Sequence, residues 1–293
     1  MSGSQSVPSS LPLELEREIF EQAAYTDPLS VPKLMLVAWR VKIWVEPFLY
    51  RILMLVGSAS DPKEKGYPFI DDHHLTRASS MPPDVLKTSV RNLWLDWLPH
   101  DAAESFISAA SQAQNVWATI QFGPTDSLLH AIGSLSPKRL HTHFDDLLAL
   151  DDLLTLPVLS RLTHLEIFDT SSDNHAEIWR IIAQIRTLSH LAFHEDDSNF
   201  LNLCPGLLGT STALRVLVYK TSRSGLFSVE FFPVLRDLHE DWRFVQMTRE
   251  YGSRDWRMGA LTGVDFWSRA EEFIAKRKSG EIDRLRYIIE EVQ

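Results

Sequence analysis

The feature that most constrains this chain is a hydrophobic repeat. Leu162-Thr163-His164-Leu165-Glu166-Ile167, Leu188-Ser189-His190-Leu191-Ala192-Phe193 and Leu214-Arg215-Val216-Leu217-Val218-Tyr219 share the pattern L-x-x-L-x-Φ, and their first leucines stand 26 residues apart both times. One pattern at two equal spacings marks a structural unit used repeatedly, because each unit leaves apolar surface that only its neighbours can cover. Looser copies at Val90-Leu93-Leu95, from Val116 to Ile120, around Leu140 and at Leu235-Arg236-Asp237-Leu238 place the array over residues 88–238.

Helical spacing fills the gaps between these strand-like segments, most clearly at Ile178, Ile181, Ile182 and Ile185 and at Leu128, Leu129, Ile132 and Leu135. One strand and one helix per unit predict an α/β fold in which parallel strands stack in chain order, an irregular leucine-rich-repeat-like solenoid. Strand alternation then sends the third, fifth and seventh positions of each unit to the concave side. If Leu140 is the second leucine of its unit, the concave set is His141, His143, His164, Glu166, His190, His194, Val216 and Val218, with Phe168 and Ala192 among them. We read these as a polar, partly aromatic surface for a protein substrate, with no metal and no cofactor. Thr170, Asp196 and Ser222 occupy the turn position that holds Asn in well-formed repeats.

The flanks differ from the array. Residues 1–10 read as a flexible polar tail. In 11–56, which opens on Leu11-Pro12, Leu11, Leu15, Ile19 and Ala23 recur four apart, and Pro47 is expected to break the following run near Glu46, giving three short helices. Residues 57–87, rich in Gly, Pro, Ser and Asp, read as linker and loops. The C-terminal region 239–293 is expected to cap the array with helices. Asp265 caps one carrying Phe266, Trp267, Ala270, Phe273 and Ile274 on one face, Gly280 stops it, and Ile282, Leu285, Ile289 and Val292 begin another.

Composition narrows the function. A net charge of -10 with no Lys/Arg block argues against nucleic acid. The single cysteine, Cys204, argues for a reducing compartment, cytoplasm or nucleus, and no apolar run is long enough to span a bilayer. No nucleophile-elbow, phosphate-loop or dinucleotide glycine pattern is present, so no catalytic residue is assigned and the chain is read as a binder, not an enzyme. Gly259-x-x-x-Gly263 reads as a turn.

Residues 11–51 resemble an F-box through Leu11-Pro12, Glu14-Leu15, Ile19-Phe20, Leu36-Val37-Ala38, Trp39-Arg40, Val41, Trp44, Glu46-Pro47 and Leu49-Tyr50-Arg51. The likeness is to the F-box-like proteins of mushroom-forming fungi (basidiomycetes). The ending, with Asp255-Trp256, Gly259-Ala260, Gly263, Asp265-Phe266-Trp267 and Arg269-Ala270-Glu271, is similar to theirs too. The resemblance implies a substrate-recognition subunit that docks a Skp-type adaptor of the cullin ubiquitin-ligase core and presents a protein substrate. It offers Leu11, Pro12, Leu15, Ile19, Leu36, Val37 and Trp39 for the adaptor, without dividing them between that face and the module's own core. The alternative is an interaction scaffold of the same fold outside any ligase.

Overall fold

The structure is a computed structural model that describes residues 11–56, 69–70, 83–120, 125–168, 175–194, 198–221, 233–248 and 252–289. Thr170, Asp196, Ser222 and Val292 lie outside these residues.

Helix α1 (Leu13–Thr26) starts after Pro12, whose ring pre-sets the backbone. It packs against α2 (Val31–Leu34) and α3 (Trp39–Leu49) around a small core of Ala24, Val31, Val41 and Val45. Arg40 donates to both carboxylate oxygens of Glu16, at 3.1 and 2.7 Å, and ties α3 to α1. Pro47 does not divide the run as expected. It sits in the last turn of α3, and the helix ends two residues later, so the bond lost with its missing N–H disturbs only the final turn.

The next residues correct the expected boundary. Ile52–Val56 is not helical but a wholly buried strand, β1. A short unbroken apolar run fits a buried strand as well as a helix, and the parallel pairing of β1 decides it.

The remaining strands are β2 (Phe69–Ile70), β3 (Asn92–Leu98), β4 (Asn115–Ile120), β5 (Arg139–Thr142), β6 (His164–Ile167), β7 (His190–His194), β8 (Val216–Thr221), β9 (Phe244–Thr248) and β10 (Ile288–Ile289). They form one sheet in the order β10-β9-β8-β7-β6-β5-β4-β3-β1-β2. Each pairing is parallel. The repeat reading thus placed β6, β7 and β8 correctly. Leu235 to Leu238 is no strand, however: an i, i+3 leucine pair is helical spacing, and it lies in the helix Pro233–Glu240, with the strand following at Phe244.

One backbone arrangement recurs before successive strands. The Arg51 carbonyl accepts from the N–H groups of Arg91 and Asn92, that of Arg91 from Gln114 and Asn115, and that of Gln114 from Lys138 and Arg139. The same pairing continues through Lys138, Thr163 and Ser189.

Alternation gives the sheet two faces. Leu93, Leu95, Leu140, Leu165, Ile167, Leu191, Phe193 and Leu217 point to one, against the connecting helices, which contribute Phe106, Ile107, Leu128, Ile132, Ile178 and Leu201. The connecting helices are α4 (Pro83–Ser89), α5 (His100–Ala109), α6 (Asp126–Ser134), α7 (Phe144–Leu147), α8 (Pro157–Ser160), α9 (His175–Ile182), α10 (Ser198–Thr210) and α11 (Pro233–Glu240), and the opposite face is covered by the C-terminal helices α12 (Gly252–Thr262) and α13 (Phe266–Ser279). Asp265 caps α13 in a reciprocal capping box with Ser268, and Gly280, at φ +78°, ends it. The second expected C-terminal helix is instead the short strand β10, with Leu285 exposed.

Candidate functional site

The N-terminal helices leave an apolar face uncovered. Of the fifteen large hydrophobic side chains exposed among the described residues, ten fall between Leu11 and Ile43, so exposure is concentrated here. Leu15 and Ile19 stand outward from α1, and Leu11 and Pro12 are exposed just before it. Leu36 (86% exposed), Val37 and Trp39 (73%) stand out from the turn into α3. All seven residues assigned to an adaptor face are therefore on the surface. The module's interior is made by other residues. Leu13, Leu29 and Ile43 are also exposed and were not singled out in the sequence, although Leu13 begins α1 two residues before Leu15.

On the sheet, the residues predicted to share one face do share it. Pairing aligns His164 with His190 and Val216, and His141 with Glu166, Ala192 and Val218. What differs is its environment. His141, Glu166, His190, His194, Val216 and Val218 are buried, and only His143 and His164 are partly exposed. This corrects the expectation of an open surface. The amphipathic stripe of α13 lies on this face instead of closing the end of the array, with Phe266, Trp267, Ala270 and Ile274 packed on Ala192, Val216, Val218, Val245 and Met247. Trp256 of α12 completes a second cluster with Trp94, Trp117 and Phe168. Trp94 stacks on Trp117 at 3.9 Å, and the Trp256 indole N–H donates to the Asn115 side-chain oxygen Oδ1 at 3.0 Å. At roughly 1.5–3 kcal/mol per large buried side chain, Trp256, Phe266, Trp267 and Ile274 make this cover part of the fold.

Beneath the cover lies a charged cluster. Glu166 is fully buried, and its carboxylate accepts from His141 Nδ1–H (2.5 Å), His194 Nε2–H (2.8 Å) and the Lys220 ammonium (2.6 Å). A carboxylate can only accept, so this geometry sets the tautomers of both imidazoles. Burial alone would raise the Glu166 carboxyl. The Lys220 charge, and then hydrogen bonds from His141 and His194, outweigh it and hold the group well below the usual carboxylate range. Lys220 also lies 3.3 Å from the centroid of the Phe266 ring, so α13 covers the ammonium directly. Among the described residues no three His, Cys, Asp or Glu side chains are arranged to hold a metal. In this cluster the Lys220 ammonium provides the cation.

Two residues earlier along the same strands, the His164 and His190 rings stack at 4.0 Å with 6° between their planes, and Trp267 meets both edge-on. Ser189 and Thr163 hydroxyls bond their Nδ1 atoms, and His190 Nε2–H donates to Glu271 of α13 at 3.0 Å. Burial, then the neighbouring charge of His190 and of Arg139, drives His164 down to about 2. Burial also lowers His190, although Glu271 opposes it. Arg139 donates to Asp265 at 2.6 Å, which anchors the start of α13.

The sequence reading missed Lys220 and Arg139. The register contained both: Arg139 is the third position of the unit around Leu140 and Lys220 the seventh of the unit beginning at Leu214. Gly259, read as a turn, lies within α12, where an added Cβ would come within 2.7 Å of Asp265 Cβ, while Gly263 makes the turn at φ +78°. No described helix is long and apolar enough to cross a membrane. No protein-family model matches the chain, and no curated protein matches its sequence.

Proposed function

We propose that this chain is an F-box-like substrate-recognition subunit of a cullin-based ubiquitin ligase, docking a Skp-type adaptor through helices α1 to α3 and working without catalysis of its own. The observation that carries the reading is the separation of roles within residues 11–49. Ala24, Val31, Val41 and Val45 make the module's core, and Leu11, Leu15, Ile19, Leu36, Val37 and Trp39 stay outside it. Surface of that size and apolarity on a small helical unit is costly in water unless a partner covers it.

The body fits a degenerate leucine-rich-repeat array, supported by strands laid down in chain order and by the recurring carbonyl arrangement before them. Its protein substrate is not held by His141, Glu166, His190, His194, Val216 and Val218 while α12 and α13 cover them. The substrate meets the body outside that footprint.

Co-expression with a Skp-type adaptor and affinity capture tests the reading. The adaptor should co-purify with the natural chain and be lost from the Leu15→Asp, Ile19→Asp double variant with its helical circular dichroism unchanged. A folded natural chain that captures no adaptor would favour a scaffold outside any ligase.

A further inference from the structure

The parallel register gathers basic side chains that are far apart in the sequence. Arg51 precedes β1, Arg91 precedes β3, Lys138 precedes β5 and Arg139 opens it, and all four line one cavity of about 340 Å³. Ile52 pairs with Asn92, Asn92 with Asn115 and Asn115 with Arg139, so Arg51 and Arg91 stand at the amino-terminal edge of neighbouring strands, and Lys138 and Arg139 follow two strands, roughly 10 Å, beyond Arg91, with Gln114 on the strand between. Tyr25 of α1, Gln114, and Gly259 and Ala260 of α12 complete the wall, which places the cavity where the helical module, the sheet edge and the C-terminal helices meet.

Three features set this cavity apart from an ordinary solvated surface. Among the described residues no carboxylate lines it, in a chain whose net charge is -10. Among the described residues, Arg139 is ion-paired with Asp265, while Arg51, Arg91 and Lys138 have no carboxylate partner. Arg51 is held in place all the same: its guanidinium lies 4.0 Å over the Tyr25 ring and donates to the Ala260 carbonyl at 3.5 Å. Farther along the same row Thr163 and Ser189 separate the cations of the cavity from the next one, Arg215.

We propose that this cavity binds a compact, multiply charged phosphate compound, gripped by Arg51, Arg91 and Lys138 and bracing the helical module against the sheet. Guanidinium groups match phosphate oxygens in pairs, and the lysine supplies a third, more mobile charge. A phosphorylated peptide fits less well. The carbonyls of Arg51, Arg91, Gln114 and Lys138 already accept from the neighbouring strand, so no free ladder of backbone groups exists to hold a peptide main chain. Recognition is left to side-chain charge, which suits a small molecule dense in phosphate. The inference stands independently of the adaptor reading.

Calorimetric titration of the full chain with inorganic tripolyphosphate, at constant ionic strength, tests it. The natural chain should bind at one saturable site and unfold at a higher temperature when loaded. Lys138→Gln, an exposed position whose loss leaves the fold intact, should weaken binding by roughly tenfold, and Arg91→Gln with Lys138→Gln by roughly a hundredfold. Lys87→Gln with Arg186→Gln removes as much charge outside the cavity and should leave affinity within about twofold. The absence of a saturable site, equal losses in the two double variants, or binding of a phosphoserine peptide without tripolyphosphate binding would each overturn the proposal.

Discussion

At the scale of single residues, the buried polar groups set how the molecule responds to its medium. An imidazole with a pKa of about 6.5 when unfolded and about 2 at His164 when folded contributes fully above pH 6.5. That contribution declines as the pH falls from there toward 2, because the unfolded chain takes up a proton the folded one refuses. The slope cannot exceed about 1.4 kcal/mol per pH unit for one proton. Urea unfolding followed from about pH 6.5 to 5, above most carboxylate titration, should show this loss, and His164→Gln should flatten it. His190, lowered by the same burial, leaves a smaller residual slope. Glu166 behaves oppositely to a removable surface charge. Glu166→Gln leaves the Lys220 ammonium buried without its counter-charge, and we expect a loss of about 3 kcal/mol, partly restored when Lys220→Met is added. Additive losses in that cycle would show that the two groups do not depend on each other. The alternation of Leu165 and Ile167 against His164 and Glu166 could be read from the sequence, and so the cluster's members were nearly all named. Their burial could not be read, because polarity at a strand position says which face it joins and not what covers that face.

At the scale of elements, the C-terminal helices are where sequence and structure part. The stripe of Phe266, Trp267, Ala270 and Ile274 and the capping Asp265 declare an amphipathic helix, but an apolar stripe is equally satisfied by an end of the array or by its open side. Two local fits choose the latter: Gly252 against the Trp117 ring and the Arg139 to Asp265 ion pair. A methyl group at Gly259 must displace the capping side chain, so Gly259→Ala should destabilise by about 1–3 kcal/mol. Thermal unfolding measures this directly. A neutral effect would mean that α12 and α13 do not approach as closely as described. The strand at Ile52–Val56 was hidden for a different reason. Five consecutive apolar residues carry no period, and only pairing with β3 reveals their type.

At the scale of the whole molecule, topology creates sites that no local pattern announces. Arg51, Arg91, Lys138 and Arg139 span nearly ninety residues and form no block in the sequence, yet parallel stacking makes them neighbours. The apolar surface from Leu11 to Ile43 is the opposite case. Its residues are close in sequence, and the likeness to an F-box singled out most of them, but their outward direction follows from which side chains fill the small core. The central claim is that this face docks a Skp-type adaptor, and titration of the adaptor into the full chain by calorimetry tests it most directly. The account predicts one adaptor per chain, with affinity reduced by about a hundredfold in Trp39→Asp, since a central aromatic anchor carries roughly 2–4 kcal/mol, and unchanged unfolding of that variant. A folded natural chain that binds no adaptor, or a Trp39→Asp chain that binds as tightly as the natural one, would contradict it.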